Sequence, residues 1–254
     1  MQIKKIDVDK ILAIFLIGHL IIWTLIPAIS NNNLPLDTIE ALAWGSNLDW
    51  GYNKHPPLSA WAVEIFYQLF QNQDWAYYFL SQIFVILSFF IVWKISEDFF
   101  KKKLYRLFSV LLLEGIYFYN YTTPEFNVYV CQLPFKALLV YFCWKSLKNN
   151  KIINWIMFGL FASLGFLSHY TFLYLILALG IYFFIDITEK KKFNLNYLIP
   201  LIVFLILIFP HIIWLYENNY ITLTYAFHRT GQEEWNFLNH ILHPTDQNSH
   251  HRHI

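Results

Sequence analysis

From residue 11 to residue 29 the chain carries no Asp, Glu, Lys or Arg, and most of its side chains are Ile, Leu, Phe or Trp. A helix of that length rises about 28 Å at 1.5 Å per residue, close to the hydrocarbon thickness of a bilayer. A stretch so long and apolar on every face has no use for a water-facing side, so it predicts a membrane-spanning helix. Comparable stretches lie near residues 76–94, 105–121, 127–146, 152–168, 170–187 and 197–216, which makes seven in all. The expected fold class is therefore all-α, a polytopic membrane protein of about seven transmembrane helices. Composition agrees: 57% of residues are hydrophobic and only 14% charged, and a net charge of +1 gives no footprint for a nucleic-acid partner.

Charge then sets the expected orientation. If the N-terminus is cytoplasmic, Lys4, Lys5, Lys10, Lys94, Lys101, Lys102, Lys103, Arg106, Lys145, Lys148, Lys151, Lys190, Lys191 and Lys192 all fall at cytoplasmic ends, 14 of the 18 Lys and Arg. The opposite side receives Asp37, Glu40, Asp49, Asp74, Glu125 and Glu217. The basic start resembles a signal peptide, but the apolar run is long enough to span and no small-residue cleavage site follows, which predicts an uncleaved first span. Residues 1–216 are read as a membrane domain with an outer loop at 30–75, and 217–254 as an outer segment with a polar, His-rich tail. Cys131 and Cys143 lie about 18 Å apart along one helix, too far to bridge, and read as packing or lipid-facing residues.

The long interruption between the first two spans holds the chemistry. Residues 37–61 collect acids, Lys54, His55, aromatics and Pro56-Pro57. Asp37 and Glu40 have the spacing of a capping box, and the same carboxylates could orient or deprotonate an acceptor. Pro56 biases His55 away from helix and Pro57 suits a first helical position. Tyr52, Lys54 and His55 beside free helix-start amides would suit an anion such as a lipid phosphate. Large apolar residues at helical spacing over Leu58–Phe70 predict a helix lying along the membrane interface. Further outer-side features are Thr123-Pro124-Glu125, the tight turn Ser168-His169-Tyr170-Thr171, and Arg229, a phosphate clamp or a surface charge. Glu114 is an acid inside a predicted span. His240, His243, His250, His251 and His253 could hold a metal by composition.

Asp37, Gly51-Tyr52, His55-Pro56-Pro57-Leu58 and Trp61, followed by the interface helix, together resemble the C-type-fold membrane glycosyltransferases of the protein mannosyltransferase and aminoarabinose transferase type. The later motifs at Thr123-Pro124-Glu125, Ser168–Thr171, Pro210–Trp214 and Arg229 extend the likeness over residues 10–230, the N-terminal portion of such an enzyme. The resemblance implies transfer of a sugar from a polyprenyl-phosphate carrier to a lipid, glycan or protein acceptor on the non-cytoplasmic face, in a bacterial inner membrane. It implies Asp37 as the catalytic acid, and Tyr52, Lys54, His55, Glu125, His169, Tyr170 and Arg229 as substrate-binding residues. The family usually places a second acid directly after the first; here that position is Thr38, which leaves Glu40 as the second catalytic candidate. Where the family commonly has a phosphate-binding lysine in the outer turn, this chain has His169. The sequence requires no cofactor, since no P-loop or dinucleotide fingerprint is present, and leaves a divalent cation open. Two other readings stand beside this one: a lipid or solute transporter or flippase, and a truncated paralogue that binds lipid-linked sugar without turning it over.

Overall fold

The computed structural model describes residues 7–191 and 193–229. Among them the regular structure is entirely helical: α1 (Val8–Ser30), α2 (Leu36–Gly45), α3 (Leu58–Phe70), α4 (Asp74–Phe99), α5 (Lys103–Glu114), α6 (Val128–Asn149), α7 (Ile152–Ser168), α8 (Phe172–Lys190), α9 (Leu198–Glu217) and α10 (Ile221–Arg229). Short 3₁₀ turns precede α6 at Tyr117–Tyr119 and α9 at Leu195–Tyr197. The polytopic, all-helical expectation is met. Four segments are both long and apolar enough to cross a bilayer: α1, α4, α8 and the stretch Leu195–Glu217 that contains α9. Helix α7 is apolar but has 17 residues, and α6 has 22 residues but carries Lys136, Lys145 and Lys148.

One expected span is much shorter than its apolar pattern. The stretch 105–121 was expected to cross in one piece, yet α5 stops at Glu114. Twelve helical residues reach only about 18 Å. Gly115 follows as the cap, and the Asn120 side-chain amide donates to the Glu114 carbonyl at 2.6 Å, satisfying a carbonyl the ended helix leaves open. The Glu114 carboxylate is paired rather than free: it meets His19 Nδ1 at 2.7 Å and accepts from Trp23 Nε1 at 3.4 Å, while His19 Nε2 meets Gln82 Oε1 at 3.0 Å. This polar cluster ties α1, α4 and α5 together in an otherwise apolar layer.

The long helices pack in the order α1, α4, α6, α7 and α9, with α5 against α4 and α8 lying lightly on α7; α4 and α6 run parallel, as Asp98 and Lys145 near their ends meet, and so do α7 and α9, whose early residues Gly159 and Pro200 touch. One core forms where α1, α4, α5 and α6 meet around Phe89, Val85 and Phe126; a second gathers Leu139, Trp155, Phe158 and Phe172. Helices α7 and α9 approach closely because Gly159 has no side chain: a Cβ there would stand 2.6 Å from the Pro200 carbonyl oxygen. Cys131 and Cys143 are free and buried in these packing layers. Lysines gather at one end of the bundle, where Asp98 accepts from Trp144, Lys145 and Lys148. The opposite end carries α2, α3, α10, the 115–127 segment and the turn between α7 and α8.

Candidate active site

The first loop is built from two short helices packed on each other. Helix α2 begins after Pro35, with no side-chain cap, so the expected capping box does not form. Asp37 sits instead inside the first turn, exposed, where the helix dipole favours a carboxylate. Glu40 is drawn away from the helix start by Lys54, whose ammonium donates to its carboxylate at 2.5 Å. Pro57 is the cap residue of α3 rather than its first helical residue, a difference of one position. Helix α3 covers Leu58–Phe70 as expected, burying Ser59, Ala60, Val63 and Glu64.

Between α2 and α3, residues 49–55 form a loop fastened from several sides. Tyr52 N–H donates to the His55 carbonyl at 3.0 Å, and the Tyr52 ring is buried flat against Trp44 at 5.7 Å. Thr222 Oγ1 of α10 donates to the Tyr52 carbonyl at 2.6 Å. From α9, fully buried His211 reaches the Trp50 carbonyl with Nδ1 at 2.6 Å, so that nitrogen must carry the proton. Its Nε2 then accepts from the Tyr170 hydroxyl at 2.9 Å. Tyr170 is thereby a strut between the α7–α8 turn and α9. Gly51 lies against the face of Trp214, where a Cβ would come within 2.3 Å of the ring.

This fastening brings His55 and His169 together although they are 114 positions apart (169 − 55). Their ring centroids are 5.3 Å apart, and Tyr129 packs on His169 at 5.0 Å. His169 ends α7, and its Nδ1 accepts from the Thr171 amide at 3.2 Å, which leaves Nε2–H as its donor edge. Gln132 of α6 holds the His169 carbonyl at 2.8 Å. His55 Nδ1 is buried and finds no hydrogen-bond partner among the described residues. Burial pushes both imidazoles well below their ordinary range, to about 4, so at neutral pH both are uncharged donors.

The charge is supplied by residues around them. Arg229, exposed at the end of α10, and Lys54 both act electrostatically on His55. Sequence reasoning passed over Lys136, which lies about 12 Å along α6 from its first residue. It is half-buried, within electrostatic reach of His169, and forms no hydrogen bond or ion pair among the described residues. A lone lysine inside a span is itself a signal of function, and that signal was available in the sequence.

Glu125 completes the arrangement. The 120–127 segment is pinned by Thr38, which is buried and donates to the Phe126 carbonyl at 3.1 Å. Glu125 Oε1 accepts from the Asp37 amide at 3.3 Å, and burial followed by the nearby Asp37 charge raises its carboxyl above the usual range. Asp37, Glu40, Trp44, His55, Ser59 and Asn127 line a narrow crevice whose free volume is only about 10 Å³. All nine residues expected at the site are therefore at one end of the bundle; of these Asp37, Glu40 and His55 line the crevice, and Tyr52 and Tyr170 make contacts that fasten the loop and turn around it. Among the described residues no three His, Cys, Asp or Glu side chains cluster as a metal site; the tail histidines lie outside the described residues.

No curated protein and no solved structure matches the chain. Residues 54–214, well over half of it, match the family described as dolichyl-phosphate-mannose-protein mannosyltransferase. The matched stretch takes in His55, Glu125, Lys136, His169 and Tyr170, while Asp37 and Glu40 precede it. A membrane bundle of this kind, carrying acids and histidines convergent at one end, belongs to the dolichyl-phosphate-mannose-protein mannosyltransferase family, membrane glycosyltransferases of the mannosyltransferase type.

Proposed function

We propose that the protein transfers a sugar from a polyprenyl-phosphate carrier to an acceptor at the non-cytoplasmic face of the membrane. The observation that carries this reading is convergence: Asp37 from α2, His55 from the next loop, Glu125 from the 115–127 segment and His169 from the α7–α8 turn meet at one end of a membrane bundle. The clustering of lysines at the other end supports assigning that end to the cytoplasm.

In the proposed step the bond between the anomeric carbon and the carrier-phosphate oxygen breaks, and its electron pair stays on the phosphate. The acceptor oxygen bonds to the anomeric carbon, and its proton passes to Asp37. Glu125 holds the Asp37 amide and so fixes the start of α2. Two neutral imidazoles donate hydrogen bonds to the departing phosphate, and Lys136, the unpaired cation beside His169, offsets the charge it gains. Glu40 acts by holding Lys54 in place. The leaving group is already activated, so this route needs no nucleotide.

The test is Asp37→Asn in vesicles supplied with polyprenyl-phosphate mannose, with acceptors read by mass analysis. Transfer is expected to fall by at least about 10², while binding of decaprenyl phosphate stays at the wild-type level. Wild-type transfer by Asp37→Asn would overturn the assignment of Asp37.

A further inference from the structure

A second opening shares none of the His55 crevice's lining residues, and the Asp37–Glu125 hydrogen bond links the two. It is a groove of about 390 Å³ running along the last two turns of α1, from Trp23 to Asn31, a distance of about 12 Å. Trp23, Ile26 and Pro27 make its walls apolar at one end, and Asn31, Thr122 and Glu125 make it polar at the other.

Two observations indicate what fits there. The first is access from the side. Ile26 lines the groove and is 55% exposed, and its neighbours Ile22 and Ile29 on the same helix are 50% and 82% exposed. The groove therefore opens onto the apolar face that α1 turns toward lipid, so a ligand can enter from within the bilayer with its tail already in place. The second is charge. Among the described residues Glu125 is the one carboxylate lining the groove, and no Lys, Arg or His lines it. Asp37 and Glu40 line the other opening, but three cations offset them there: Lys54 and Arg229 act on its His55, and Lys136 acts on the neighbouring His169. An anionic headgroup is repelled from the first and attracted to the second.

We propose that this groove seats the acceptor as a membrane amphiphile, its apolar tail along α1 and an uncharged hydroxyl head at Glu125. Donor and acceptor then reach Asp37 from opposite sides, the anionic carrier past His55 and His169, the neutral acceptor past Trp23 and Thr122. The identification of the occupant as the acceptor rests on the transferase reading; the occupancy of the groove does not.

The experiment uses the full chain in phosphatidylcholine vesicles with a hexadecanol probe bearing a diazirine in its tail, and maps the labelled peptides by mass spectrometry. Labelling is expected along residues 23–31 and 121–125, above the background on lipid-facing Ile181 of α8. Excess hexadecanol should remove it and excess decaprenyl phosphate should not. Ile26→Trp, which fills the groove from an exposed position, should weaken groove labelling by about tenfold. Leu25→Trp, exposed on the same helix but outside the lining, should leave it unchanged. Labelling at the background level, displacement by decaprenyl phosphate, or indifference to Ile26→Trp would each overturn the groove and leave the transferase reading standing. Intact groove labelling in a protein that transfers no sugar from polyprenyl-phosphate mannose would instead overturn the transferase reading, and the role of acceptor with it.

Discussion

Gly51→Ala places one methyl group where Trp214 already is. Its Cβ would lie 2.3, 2.5 and 2.9 Å from three carbons of the indole ring, whereas unbonded carbons settle at about 3.5–4.0 Å. The ring or the loop must therefore move by more than about 1 Å. Trp214 has little room to yield, because it lies parallel to His211 at 6.3 Å and both nitrogens of His211 are engaged, one by the Trp50 carbonyl and one by Tyr170. The displacement falls on the 49–55 loop, which carries Tyr52, Lys54 and His55. Overpacking of this kind costs about 1–3 kcal/mol, and a misplacement of about 1 Å at a reacting centre costs about 10² in rate. Thermal unfolding in detergent and sugar transfer from polyprenyl-phosphate mannose would be measured for Gly51→Ala beside Gly180→Ala. The second is a control in helix α8 where a new Cβ meets no atom within 4 Å; it should be neutral or stabilising by up to about 1 kcal/mol. A Gly51→Ala protein with wild-type unfolding and transfer would refute the reasoning, and so would an equal loss in Gly180→Ala.

Thr38→Val keeps the shape of a buried side chain but removes the donor to the Phe126 carbonyl, and should lower stability by about 1–3 kcal/mol; Thr38→Ser should restore most of the unfolding midpoint. Lys136→Met removes an unpaired cation from α6 and should weaken decaprenyl-phosphate binding by at least about tenfold with no loss of thermal stability, checked by titration and by unfolding of the same preparations. The pH dependence follows from His55 and His169, each at about 4 in the fold against 6.5 when exposed. The unfolded chain binds protons there first, so their contribution to stability is present above pH 6.5 and is lost as pH falls from 6.5 toward about 4. His55→Gln with His169→Gln should flatten the unfolding midpoint over that window, and an unchanged slope would show that other groups govern it.

Much of the scaffold was legible because the bilayer allows few solutions. A charge-free run of the length of α1 has one stable outcome, and α3 was visible as a periodic pattern between Pro57 and Gln71. The break in α5 was not, since the apolar residues continue past Glu114 while the partners that end the helix, Asn120 nearby and His19 and Trp23 on α1, have no local signature. The capping box at Asp37 and Glu40 failed for a related reason: the spacing was right, but Lys54 competes for Glu40 from 14 positions away (54 − 40). Thr38, which follows Asp37 directly, is the pin that holds the 120–127 segment.

The amino-acid order by itself determined that this is a helical membrane protein, that its lysines collect at one end, and that Asp37, Glu40, His55, Glu125 and His169 fall between the long helices at the other. Those outcomes follow from transfer of apolar and charged groups between water and lipid, which each segment settles for itself. Only the tertiary structure decided that His55 meets His169, that Glu125 holds the Asp37 amide, that Lys136 near them has no partner among the described residues and that a groove opens beside α1. Those depend on which helices become neighbours, and side-chain pairing between neighbours acts over a few ångströms between residues far apart in the chain.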